Sequence, residues 1–135
     1  MVSPIKVIKQ TLELVIESIT PYVPTAYEGV DFDPPDSIYQ RVQIIPRKPD
    51  DSVLGDMYYR ENVDLQIFVS APSGNGLGDA LDQAELLRTT FPKGWYTQVG
   101  NIRLNVLRTP GIGGTMILDS RVVIPVYVSL LCEVG

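Results

Sequence analysis

The sequence predicts an α+β fold: a mainly antiparallel sheet of about four strands with two helices on one face, in the order α-β-β-α-β-β. Two observations carry this. Two segments repeat apolar residues at spacings of three and four, and four others alternate apolar with polar residues. Each segment also has a single apolar side, which is what a two-layer packing consumes. With 135 residues, 44% of them hydrophobic and 20% charged, the chain reads as one globular domain, 1–135. That length buries enough surface to need neither a disulfide nor a metal.

The first helix is expected from about Ser3 to Thr20. Ser3 caps it, Pro4 suits its first turn, and Ile5, Ile8, Leu12, Val15, Ile16 and Ile19 share one face. Four prolines between Pro21 and Ser37 then impose an extended connector, tacked down by Tyr22, Val23, Tyr27, Val30 and Phe32. Ile38 to Ile45 alternates as a strand, and Pro46 to Ser52 is a charged loop. A long strand follows, from about Met57 to Ser70, with Val63, Leu65, Ile67 and Val69 dry and Asn62, Asp64 and Gln66 wet. The second helix spans about Leu77 to Phe91, with Leu77, Ala80, Leu81, Ala84, Leu87 and Phe91 as its stripe; Pro92 and Gly94 stop it. The last strands are Asn101 to Thr109 and Leu118 to Leu131, joined by a glycine-rich flexible loop. Pro125 cannot donate in a ladder, so the last strand lies at an edge or bulges there.

Composition excludes several chemistries. There is no histidine, so no Ser-His-Asp triad, Cys-His pair or His-ligated metal. Cys132 is the sole cysteine and reads as a small buried strand residue. A net charge of −5 argues against a surface that grips nucleic acid. The run after Met1 lacks the apolar stretch of a secretory leader, and Val122 to Cys132 is too short and β-branched to span a bilayer, so the chain is expected to be cytosolic when made, without a membrane partner. Gly74-Asn75-Gly76-Leu77-Gly78 sits where a phosphate loop would, but no Gly-Lys-Ser/Thr follows and Asp79 and Asp82 would repel phosphate. The acidic pairs Asp31/Asp33, Asp50/Asp51 and Asp79/Asp82 lie on loops or a solvated helix start. No catalytic residue, cofactor site or metal site is expected, and an assembly role is.

The chain resembles the family of phage tail terminator proteins. The matching features are the amphipathic opening helix and the stretch Thr25-Ala26-Tyr27-Glu28-Gly29-Val30-Asp31-Phe32-Asp33-Pro34-Pro35. Gly55 before Tyr58-Tyr59-Arg60 follows, then Gly74-Asn75-Gly76 ahead of a helix ending in Phe91-Pro92-Lys93-Gly94, then Val123-Ile124-Pro125-Val126. Where Gly29 stands the family more often has Asn, so the resemblance is that of a divergent member.

The resemblance implies a structural virion protein of the tail and neck, assembled in the host cytoplasm, without enzymatic activity or cofactor. It implies a hexameric ring that caps the tail tube protein, ends its polymerisation and meets the head-completion or neck protein, with DNA passing through unbound. Another head–tail joining or tail-completion ring subunit is the alternative. A ring needs heterologous, closing interfaces, for which the 46–57 hairpin tip and the 110–116 glycine loop are the natural arms. The residues expected to meet a neighbouring subunit or the tube are Arg47, Lys48, Asp50, Asp51, Met57, Tyr58 and Tyr59.

Overall fold

Helix α1 (Pro4–Glu17) forms where aliphatic residues recur at helical spacing, and it buries Ile8, Leu12 and Ile16. The structure is a computed structural model that describes residues 4–47, 59–75 and 77–135. After α1 come β1 (Thr25–Ala26), β2 (Tyr39–Pro46) and β3 (Tyr59–Pro72), a 3-10 turn (Ser73–Asn75), and helix α2 (Gly78–Thr90). The chain ends with β4 (Tyr96–Val99), β5 (Ile102–Val106), β6 (Gly111–Ile112), β7 (Met116–Leu118) and β8 (Arg121–Val134).

The sheet is not the expected antiparallel sheet of about four strands. It has eight strands in the order β1-β2-β3-β8-β5-β4, with β6 and β7 also paired to β8. It is mixed, because β1 runs parallel to β2 while the other pairs are antiparallel. The missed strands are β1, β4, β6 and β7. Each is two to four residues long, too short to display a period of two, and their flanks are rich in proline and glycine.

The spine is the full-length pairing of β3 with β8, fourteen residues each, from Tyr59↔Val134 to Pro72↔Arg121. Strict alternation places Val63, Leu65, Ile67 and Val69 of β3 beside Leu130, Val128, Val126 and Ile124 of β8, all at most 1% exposed. Val42 and Ile44 of β2 and Ile102, Leu104 and Val106 of β5 join the same face. The buried residues of both helices complete that one core cluster.

On its other flank β8 meets β5, β6 and β7 in succession, a single outer strand broken twice. The expected free glycine loop is therefore laid along β8, and Gly113 N–H donates to the Pro125 carbonyl at 2.8 Å. In a strand the N–H and C=O of one residue point to the same neighbour, so the donor that Pro125 lacks faces the gap between β6 and β7. The strand is interior, and the break is in its partner. A cross-strand turn at Asp119 and Ser120, with φ of 48° and 62°, sends β7 back into β8.

Helix α2 is rotated relative to expectation. Ala80, Gln83, Ala84 and Leu87 face inward, while Leu77 and Leu81 are 40% and 41% exposed. Two alanines allow close approach to the sheet, and Gln83 has a partner there. Its Nε2 donates to Gln40 Oε1 (3.0 Å), Gln40 Nε2 donates to Thr25 Oγ1 (3.0 Å), and Thr25 Oγ1 donates to the Val23 carbonyl (2.8 Å). This buried relay ties α2 to β2 and β1, and it satisfies polar groups that would otherwise cost stability. In the connector, Val23 is buried, Tyr27 packs on the core and Phe32 meets the Tyr39 ring at 5.6 Å, but Tyr22 and Val30 are exposed.

Candidate functional site

Among the described residues no helix lies over the face of the sheet away from the core, which carries the residues of opposite parity to the apolar set. Register places Tyr39, Arg41 and Gln43 of β2 there, with Asp64, Gln66 and Phe68 of β3 and Arg121, Val123 and Tyr127 of β8. At one end Arg60, Glu133 and Arg103 sit side by side on β3, β8 and β5. Asn105 links two of them. Its Nδ2 donates to Glu133 Oε1 (3.4 Å) and its Oδ1 accepts from Arg103 Nε (3.2 Å). The Arg103 guanidinium lies 4.4 Å from the centre of the Tyr96 ring.

At the other end is an open trough of about 390 Å³, lined by Tyr39, Phe68, Met116, Leu118 and Val123 together with Arg41, Ser70, Asp119 and Arg121. Arg121 is held rigidly. Its Nε donates to Ser70 Oγ (2.7 Å), Nη1 to the Asp36 carbonyl (3.2 Å), and Nη2 to the carbonyls of Ser37 (2.6 Å) and Ser70 (3.2 Å). Its guanidinium also stacks on Tyr39, 4.7 Å from the ring centre. One arginine thus locks the proline-rich connector against the sheet and forms one wall of the trough. Beside it, β7 pairs with β8 alone, and Met116, Ile117 and Leu118 are 39%, 75% and 56% exposed.

Of the residues expected at an interface, Lys48, Asp50, Asp51, Met57 and Tyr58 lie outside the described residues. Arg47 and Tyr59 are described, and the sheet separates them. The Arg47 guanidinium pairs with Asp64 on the open face, its Nε donating to Oδ2 at 2.7 Å. Tyr59 stands at a core-face position of β3 and packs against the core cluster. The trough residues and the exposed leucines of α2 were not singled out from sequence. The available signal was parity, since Arg41, Arg60, Arg103 and Arg121 all fall opposite the apolar residues of their strands.

Among the described residues no group of three or more His, Cys, Asp or Glu could hold a metal, and no helix is long and apolar enough to cross a membrane. Burial, helped by the nearby Glu61 and Glu133 carboxylates, pushes the Cys132 thiol up to about 12. A thiol so reluctant to ionise is a poor nucleophile at neutral pH. Burial also raises the Tyr27 hydroxyl, reinforced by its 2.6 Å hydrogen bond to Glu17 Oε2. Among the described residues, what the molecule displays is surface for contact: a basic sheet face, an apolar trough and a strand, β7, with one edge unpaired.

A solved structure that carries no functional name shares this fold with a TM-score of 0.71. It is 25% identical, and the alignment covers 98% of this chain and 94% of that one. No curated protein matches the chain. The family model described as phage tail terminator protein matches residues 7–130, a span running from α1 into β8 that includes the whole relay, the trough and the α2 leucines. A contact-bearing body and a match of that extent agree: the chain belongs to the phage tail terminator protein family, whose role in the virion tail is structural.

Proposed function

We propose that residues 1–135 act as one terminator domain, and that six copies close into a ring on the end of the tail tube. The ring ends tube polymerisation, presents its far side to a head-completion or neck protein, and lets DNA through without binding it. Assembly takes place in the host cytoplasm. The observation that supports this reading best is the unpaired edge of β7. Three consecutive apolar residues stand exposed there beside open backbone donors and acceptors. Soluble proteins ordinarily protect such an edge with charge, proline or a covering element. A closed ring protects it with another subunit, and a heterologous contact repeated around an axis needs only one such interface. Contact with the tube or with a neighbouring subunit is assigned to Arg47, Lys48, Asp50, Asp51, Met57, Tyr58 and Tyr59.

Cryo-electron microscopy of the purified protein mixed with tail tubes of its own phage tests the reading. Rings at tube ends, and tubes of halted length, are expected. Rings located only at the head portal would make the chain a head–tail joining subunit instead, and bare tube ends would refute the proposal. Deleting residues 50–56 is expected to abolish capping while thermal unfolding of the monomer stays within a few degrees.

A further inference from the structure

We propose that the trough on the open sheet face receives α2 of a second copy, with Leu77 and Leu81 entering the trough and Asp82 meeting Arg41. The proposal rests on the ring reading and names the surfaces that would close the ring.

Three observations favour a second copy as the occupant. The first is shape and polarity. The trough is lined by Phe68, Met116, Leu118 and Val123, and α2 holds out two leucines one turn apart that its own core does not take. An apolar groove and an apolar helical stripe are the two halves of a helix-in-groove contact.

The second is charge. Arg41 and Arg121 outnumber Asp119 in the trough lining, whereas the exposed side of α2 carries Asp79, Asp82 and Glu85, with Arg88 only in its last turn. Arg88 and Glu85 pair within the helix, Nη1 lying 3.4 Å from Oε1, and Arg88 Nε donates to the Pro110 carbonyl, so the net charge of this side resides on Asp79 and Asp82. Each surface therefore repels itself and attracts the other, which disfavours a two-fold dimer and favours a head-to-tail contact.

The third is placement. Helix α2 lies over the core face of the sheet and the trough opens on the opposite face, so one copy can use both surfaces at once. Seating α2 there would also cover Met116 and Leu118, two of the three exposed residues of β7.

Nucleic acid is the other polyanion that arginines attract, but the trough floor offers apolar side chains where phosphates would need donors.

The test is a cysteine and charge-swap series assembled on tail tubes. Met116→Cys and Leu81→Cys in one chain are expected to give a covalent ladder up to the full ring under mild oxidation. Either substitution alone, and the wild type with Cys132 fully buried, should give none. Arg41→Glu and Asp82→Arg should each raise the concentration for half-assembly at least tenfold, read by mass photometry. Their combination should bring it back to within about threefold of wild type, and circular dichroism verifies that each variant is folded. Rings that form normally without ladder or charge-swap rescue would overturn this interface and leave the ring reading standing. Absence of any oligomer, alone or on tubes, would overturn both. Loss of binding to a 30-base-pair duplex in Arg41→Glu, with assembly unchanged, would reassign the face to DNA and refute the proposal.

Discussion

Leu65 and Leu81 offer a direct test of how the chain divides its leucines between folding and assembly. Leu65 sits at the centre of β3, paired with Ile44 on one side and Val128 on the other, and is fully buried. Leu65→Ala deletes three carbons, a transfer loss of about 2.4 kcal/mol at roughly 0.8 per carbon. The two flanking strands are long and fully paired, so the site collapses little. A residual cavity of about 50 Å³ adds about 1.2 kcal/mol. The expected total, near 3.6 kcal/mol, lies within the range of about 2–5 kcal/mol seen for buried leucines. In urea, with a slope of about 2 kcal/mol/M, the midpoint should fall by roughly 1.8 M. The melting temperature should fall by about 10–15 °C. Leu65→Met, which conserves volume, should cost less than about 1.5 kcal/mol. Leu81→Ala, at a site 41% exposed, should shift stability by no more than about 0.5 kcal/mol. A loss below about 1 kcal/mol for Leu65→Ala, or one of equal size for Leu81→Ala, would refute the division of the two leucines between core and surface.

Gln40→Ala takes the acceptor from Gln83 Nε2 and the donor from Thr25 Oγ1 and is expected to cost about 2–4 kcal/mol in urea unfolding, and a double-mutant cycle with Gln83→Ala should show a coupling above about 1 kcal/mol. Gly113→Ala places a Cβ 2.7 Å from Pro125 Cγ and 3.1 Å from the Tyr127 ring; it should destabilise by about 1–3 kcal/mol, and Pro125→Ala should relieve most of that loss in thermal melts. Burial raises the Glu61 carboxyl above 4.5, and among the described residues its Oε1 has no hydrogen-bond partner. The native state therefore holds this proton more tightly than the unfolded chain, so the contribution of Glu61 is most favourable below pH 4.5 and declines as pH rises through its native value. Glu61→Gln should stabilise the protein at pH 7, with a gain that shrinks in melts recorded toward pH 4.

The long elements were legible because their burial is one-sided and repeats. Ile8, Leu12 and Ile16 mark α1, and Val63 to Val69 mark β3, with enough periods to outvote exceptions. The short strands were not legible, because β6 and β7 exist through the pairing that β8 offers, not through their own pattern. The orientation of α2 was decided by a contact between Gln83 and Gln40, 43 positions apart in sequence, which no local window contains. Pro125 was correctly read as a missing donor. Where that gap falls depended on which strand lay alongside, and the sequence pattern says nothing of that. The basic face was partly legible, since parity alone puts Arg41, Arg60, Arg103 and Arg121 opposite the core. The tip residues drew notice because their charges are adjacent in sequence, whereas these arginines come to share one face only once four strands are aligned.

That segregation of charge bears on how DNA could traverse a ring of these subunits. The chain carries a net charge of −5, yet its open sheet face sets Arg41, Arg47, Arg60, Arg103 and Arg121 against Asp64 and Glu133. Left exposed toward a channel, this face would hold phosphates and slow the genome. Seating α2 of a neighbour in the trough would remove Arg41 from solvent and offset it with Asp82, while Arg121 is already held by Ser70, Asp36 and Ser37. Arg47 is already paired with Asp64, and Arg60 and Arg103 flank Glu133. The interface that closes the ring would then also neutralise the charges most able to grip DNA. Arg41→Glu should therefore weaken assembly without creating or abolishing DNA affinity, and a ring whose DNA binding rises when the Asp82 contact is removed would show the arginines to have been freed.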